Sequence, residues 1–196
     1  MSDDRPRVVL ASASPRRRQL LRHLVPDFDV VPSEVDESLE PGPLVDAVAR
    51  LAERKARAVA AGHRDAVVIG ADTIVVIDGD ALGKPADTRD AVAMLTRLRG
   101  RVHDVVTGIA VVAAGRVLAG TEITRVAMAR YGDDVIERYA ASGSPLDKAG
   151  AYAVQDLGGA LVDAVIGSYT NVVGFPLALA RRLLTEAGVP LSAPPA

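Results

Sequence analysis

Two serines and three arginines crowd the stretch Ser12-Ala13-Ser14-Pro15-Arg16-Arg17-Arg18. Ser14 followed by Pro15 reads as a helix start, a hydroxyl able to cap free N–H groups and then a residue whose φ is already helical. The arginines then fall in the first turn. The helix macrodipole disfavours cations there, by roughly 0.3–1 kcal/mol each. Free backbone N–H groups, hydroxyls and guanidinium forks together suit a phosphate. The alternative for this stretch is a solvated basic turn. A second residue able to do chemistry is Asp72, set between the apolar runs Ala66-Val67-Val68-Ile69 and Ile74-Val75-Val76-Ile77. An ionised carboxylate in such a setting needs a cation, a metal or an opening to solvent. Gly70 and Ala71 beside it leave room for a close ligand.

Lysine occurs only at Lys55, Lys84 and Lys148 in a chain otherwise rich in arginine. A compact ammonium on a flexible stem serves where a planar fork does not, for example against a single phosphate oxygen. Lys55 is in register with the apolar positions Leu44, Val48, Leu51 and Ala52 of a helix expected over residues 44–61. Its stem can pack while its head emerges. Residues 33–43 are polar and read as a loop, and their carboxylates, Glu34, Asp36, Glu37 and Glu40, fit a solvated surface or a divalent-cation site. Gly83-Lys84-Pro85 lacks the upstream glycine and following Ser/Thr of a Walker A loop, which excludes that motif. His103 and Asp104 have no partner at metal or triad spacing, so His103 reads as structural.

The elements that must position these residues follow from pattern. Val8-Val9-Leu10 and Phe28-Asp29-Val30-Val31 read as strands, and residues 88–98 as a helix closed by Gly100. Asp78-Gly79-Asp80 is a hairpin turn whose acids are expected to be solvated. Residues 102–113 and 117–129 form a long antiparallel pair turned at Ala114-Gly115. A helix over residues 133–142 stops at Gly143, residues 160–166 form a strand, and a last helix runs through Ala187. Residues 190–196 are Pro/Ala-rich and expected to fray.

Bulk properties set limits. The 196 residues, 49% hydrophobic and 24% charged, suit one soluble domain, here residues 1–189, or two intimate lobes. A net charge of −2 argues against a surface for duplex nucleic acid. The absence of cysteine excludes disulfides, thiolate metal sites and a catalytic thiol. No apolar run is long enough to span a bilayer, and Met1-Ser2-Asp3-Asp4 lacks a signal-peptide core, so a cytoplasmic location without membrane contact is expected.

Taken together, Ser-Ala-Ser-Pro-Arg-Arg at 12–17, Gly-Ala-Asp-Thr at 70–73, Gly-Lys-Pro at 83–85, Asp-Lys-Ala-Gly-Ala-Tyr at 147–152 and Asn-Val-Val-Gly at 171–174 resemble the Maf family of nucleoside triphosphate pyrophosphatases over residues 10–184. The resemblance implies an α/β fold, a bent mixed β-sheet flanked by helices. It further implies two lobes around a central cleft, as in inosine triphosphate pyrophosphatase, a homodimer, and dependence on Mg²⁺ or Mn²⁺. Arg16, Thr73 and Gln155 match the dTTP/UTP type rather than the 7-methyl-GTP type. By the same resemblance, Asp72 orients and deprotonates the attacking water, and Ser12, Arg16, Arg17, Lys55 and Lys84 bind the substrate's phosphates. Thr73 and Gln155 meet the base edge, where a side-chain amide matches a pyrimidine's carbonyl and N–H. Glu37 is the candidate metal ligand with Asp72, ahead of Glu34 and Asp36, because hard oxygen ligands suit Mg²⁺. Asp156 departs from the glycine frequent in the family and brings a negative charge beside the expected base site. The alternatives are a 7-methyl-GTP-type enzyme and a non-hydrolysing nucleotide-binding regulator, the latter in keeping with the family's link to septum formation.

Overall fold

The computed structural model describes residues 6–192. The acidic N-terminus and the last four residues of the expected frayed tail lie outside them. The described part of that tail is tied down: Ser192 N–H donates to the Leu24 carbonyl at 2.8 Å, and Leu191 packs on the core.

The elements run β1 (Arg7–Leu10), α1 (Pro15–Leu21), β2 (Asp29–Val30), α2 (Leu44–Ala60), β3 (Ala66–Ile77), β4 (Asp80–Leu82) and α3 (Thr88–Leu98). They continue with β5 (Val102–Ala113), β6 (Arg116–Met128), α4 (Asp133–Ala141), β7 (Val162–Ile166), α5 (Tyr169–Val173) and α6 (Leu177–Glu186). The strands form one mixed sheet in the order β2-β1-β3-β5-β6-β7, with β4 beside β3. β1 is parallel to both β2 and β3, whereas β4 and β7 run antiparallel to β3 and β6. The α/β class and mixed sheet match the expectation.

The differences have local causes. The strand expected over residues 28–31 is only Asp29–Val30. The two apolar runs around Asp72 are one unbroken strand, because Asp72 finds a partner without any kink. Asp78 and Asp80 are exposed, yet Asp78 pairs with Arg101 at 2.6 Å and Asp80 with Arg97 at 2.7 Å rather than facing water alone. Helix α5 and three short 3₁₀ segments between Ser144 and Leu161 were not foreseen, being too short to show a period.

The chain divides into two compact units. The first holds the described residues up to Asp72, then Thr107–Glu122 and the segment from Gly174. Strict alternation along its strands sorts the side chains onto two faces. Val8, Leu10, Val67, Ile69, Ala71, Ile109 and Val111 pack with Leu21 of α1 and with Leu179, Leu183 and Leu184 of α6. Val9, Ala11, Ala66 and Val68 turn the other way, onto Val59 of α2, while Ala110 and Val112 meet Ala52 and Ala56. The second unit, Thr73–Val106 and Ile123–Val173, has its own core. There α3 (Ala91, Leu95, Leu98) and α4 (Ile136, Tyr139, Ala140) cover Val75, Val105 and Val126.

Candidate active site

Helix α2 reaches the sheet because glycines and alanines make room for it. A Cβ on Gly70 would lie 2.3 Å from the Ala52 carbonyl oxygen, and one on Gly108 would lie 2.7 Å from that of Val48. Such distances are impossible without moving backbone, so both positions need glycine for the close approach. Gly70 and Asp72 lie two residues apart on β3 and share the face turned to α2. The same packing that seats the helix over Gly70 therefore brings Lys55 against Asp72.

Lys55 is 4% exposed and Asp72 9%. Its ammonium donates to Asp72 Oδ1 at 2.7 Å and to Glu37 Oε1 at 2.6 Å. Glu37 comes from the loop that precedes α2, and its side chain is 56% exposed. The ammonium thus sits between a buried carboxylate and an open one. The expected chemistry of Lys55, Asp72 and Glu37 converges on one point.

Helix α1 supplies the next set. Ser14 caps it, its Oγ accepting from Arg17 N–H at 3.4 Å, with Pro15 in the first turn as expected. Arg17 turns back across the unit. Its Nε donates to the Gly174 carbonyl at 3.0 Å, and one terminal nitrogen donates to the Ala71 carbonyl at 2.7 Å and to Ser12 Oγ at 3.3 Å. Burial lowers the Arg17 pKa, while the negative charges of Asp72 and Glu37 raise it and the neighbouring Arg16 lowers it. A guanidinium stays charged throughout. Arg17 therefore braces the chain beside Asp72 and adds positive charge there. Ser12 is buried, Arg16 and Arg17 are half-buried, and Arg18 is exposed.

The second unit carries Thr73, Lys84 and Gln155. Thr73 is half-buried on β3, and Lys84 and Gln155 are exposed. The segment around Lys84 is fixed by Gly150 N–H, which donates to the Gly83 carbonyl at 3.0 Å. Gly150 has φ +69 and lies against Val75, where a Cβ would meet Cγ2 at 2.7 Å. Next to Gln155, Asp156 is not a bare charge. It accepts from Gly158 N–H at 2.8 Å and from the Tyr139 hydroxyl at 3.3 Å, and it lies 3.4 Å from the Lys148 ammonium. Lys148 is buried and also bonds Asp147 at 2.7 Å and the Ser144 carbonyl, so this third lysine holds the loop together. His103 is structural, as expected: Nε2 shares a 2.8 Å hydrogen bond with the Tyr152 hydroxyl, and burial pushes its pKa down to about 4.

Two residues of α2 that fasten the preceding loop escape a reading by type and spacing. Arg50 and Arg54, one turn apart on α2, both pair with Glu40, at 2.8 and 2.5 Å. Two arginines at i, i+4 after a loop of four carboxylates were the available signal. Among the described residues, no group of three or more His, Asp or Glu side chains converges as a metal cage. Lys55 does hold one positive charge between two hard carboxylates, the donor set from which Mg²⁺ is bound when substrate phosphates and water supply the remaining ligands.

Residues 7–187 match the family described as Maf-like protein. Curated relatives named dTTP/UTP pyrophosphatase align over nearly the whole chain. That of Anaeromyxobacter dehalogenans (strain 2CP-C) is 51% identical, covering 95% of this chain and 96% of its own. That of Myxococcus xanthus (strain DK1622) is 49% identical over 97% of both chains. That of Deinococcus radiodurans is 48% identical over 94% of both.

Proposed function

The chain belongs to the Maf-like protein family, and on that premise we propose that it hydrolyses dTTP and UTP to the nucleoside monophosphate and pyrophosphate. The observation that carries this reading is the convergence of Lys55 on Asp72 and Glu37, with Arg17 braced beside Asp72. Identity of 44–51% to relatives named for this activity supports it.

Water attacks the α-phosphorus and pyrophosphate leaves. The charge gathered on the phosphate oxygens is what the protein must answer, more than any covalent step. Asp72 accepts a proton from the water and orients it. Lys55 holds the Asp72 carboxylate in place and supplies positive charge, and Ser12, Arg16, Arg17 and Lys84 contribute donors to the phosphates. Glu37 and Asp72 would hold a divalent cation, Mg²⁺ or Mn²⁺, which when bound neutralises phosphate charge. Thr73 and Gln155 read the base. The enzyme works as a cytoplasmic homodimer with a nucleoside triphosphate as its partner, and neither duplex nucleic acid nor a membrane takes part; its role is cleansing of nucleotide pools.

The test is a panel of nucleoside triphosphates, including 7-methyl-GTP, incubated with Mg²⁺ and inorganic pyrophosphatase and read as released orthophosphate. Turnover with dTTP and UTP is the expected result, with Gln155→Glu weakening that preference. Faster turnover of 7-methyl-GTP assigns the other type, and tight dTTP binding without turnover assigns a regulator of division.

A further inference from the structure

Glu37 lies in a loop with no secondary structure, and its side chain is mostly in solvent. Its carboxylate meets the buried Lys55 ammonium at 2.6 Å. The backbone on either side is held as well. One terminal nitrogen of Arg54 donates to the Ser38 carbonyl at 2.7 Å and to the Asp36 carbonyl at 3.3 Å, the residues immediately after and before Glu37. The other terminal nitrogen donates to Glu40 Oε1 at 2.5 Å. Asp36 tightens the same turn, accepting from Ser38 N–H at 2.9 Å and from the Ser38 hydroxyl at 2.6 Å. Arg50 fastens the far end through Glu40 and the Pro41 carbonyl. All these groups and Glu37, Lys55 and Asp72 belong to the first unit.

From this arrangement we infer that Arg54 is a positioning residue for Glu37: its guanidinium clasps the two carbonyls flanking Glu37 and so sets where that carboxylate stands beside Asp72. The inference rests on the proposed role of Glu37 in metal binding. A planar fork is needed, because one donor group must reach two carbonyls and a carboxylate in fixed directions. Arg54 and Lys55 are consecutive on α2, so the helix that carries the ammonium to Asp72 also carries the clasp to the loop. Partners that orient a metal-binding carboxylate typically matter by about 10–100-fold in metal affinity or activity.

The experiment compares Arg54→Met, Arg54→Lys, Glu40→Gln, Glu37→Gln and the double variant Arg54→Met/Glu37→Gln. Metal-free hydrogen exchange over residues 34–40 is read alongside Mg²⁺ titrations of dTTP hydrolysis. Arg54→Met is expected to speed exchange in the loop and raise the Mg²⁺ midpoint by about 10-fold or more, with kcat largely recovered at saturating Mg²⁺. Arg54→Lys should not restore the midpoint, Glu40→Gln should move it in the same direction by less, and the double variant should be no worse than Glu37→Gln alone. Unchanged exchange in both Arg54→Met and Glu40→Gln overturns the clasp. Faster exchange with an unmoved Mg²⁺ midpoint, while Glu37→Gln is impaired, overturns the positioning role and leaves the role of Glu37 standing. A fully active Glu37→Gln overturns both.

Discussion

The Lys55 ammonium stands 2.7 Å from Asp72 Oδ1, and both residues are buried. Removing either partner leaves the other's charge in a poorly solvated place, but unequally. Without Lys55, Asp72 loses its buried ammonium partner, and breaking a buried pair in this way costs about 3–5 kcal/mol. Without the Asp72 charge, Lys55 still has Glu37 at 2.6 Å. Lys55→Met is therefore expected to lower unfolding stability by about 3 kcal/mol or more. Asp72→Asn should lower it by less while abolishing pyrophosphate release. Urea denaturation of the two variants, paired with dTTP turnover, checks the order.

Gly70 seats α2, so its replacement should act on both stability and chemistry. A methyl group there meets the Ala52 carbonyl and the Ala56 amide nitrogen, neither of which can yield without moving the helix. Gly70→Ala is expected to destabilise by about 1–3 kcal/mol, the usual range for overpacking. It should also reduce kcat more than Gly62→Ala, whose Cβ would meet only the Val59 carbonyl oxygen, at an ordinary 3.9 Å. Thermal melts and dTTP turnover of the two variants test this.

His103 makes stability depend on pH. In the fold it stays neutral down to about pH 4, because burial disfavours its charged form, whereas the unfolded chain protonates near 6.5. Between those values the unfolded state binds a proton that the folded state does not, so stability falls as pH drops from about 6.5 to about 4 and this contribution levels off below. The loss approaches roughly 3 kcal/mol at full extent. His103→Gln should be less stable at pH 7.5, losing the bond to Tyr152, and should show a shallower decline on acidification. Urea midpoints at several pH values from 7.5 to 4.5 read the difference.

Much of this was legible in residue types. Lys55 stood out because a lone lysine kept register with Val48 and Leu51, and Asp72 because no apolar strand leaves a carboxylate unpartnered. Ser14-Pro15 announced the start of α1 through capping chemistry alone. What pattern could not show was which partner each charge finds. Arg17 reads as a phosphate ligand, and pattern does not reveal that it also braces Ala71 and Gly174, the latter 157 residues away in sequence. For Arg54, the spacing to Arg50 signals the pairing with Glu40, whereas its bonds to the Asp36 and Ser38 carbonyls leave no trace in residue type. The short 3₁₀ segments after Gly143 were hidden for a related reason: their order comes from Lys148 and Asp156 rather than from periodicity.

Asp156 is matched by Lys148, by a cap and by the Tyr139 hydroxyl, so its charge should not act on a base bound near Gln155. Asp156→Asn, which keeps an oxygen for the cap, is expected to leave the dTTP-to-UTP preference unchanged. Asp156→Ala should cost about 1 kcal/mol for the lost cap. Competitive turnover of the two nucleotides and a thermal melt separate these effects; a marked change of preference in the asparagine variant would show that the charge reaches the substrate.

The unbroken run of β3 has an evolutionary corollary. Because odd and even positions look in opposite directions, inserting one residue between Ala66 and Asp72 would rotate the carboxylate to the α6 side and send Ala71 toward the ammonium. Length drift is therefore forbidden in this strand, while the loop at residues 33–43 can vary wherever Arg54 keeps its bonds to the Asp36 and Ser38 carbonyls.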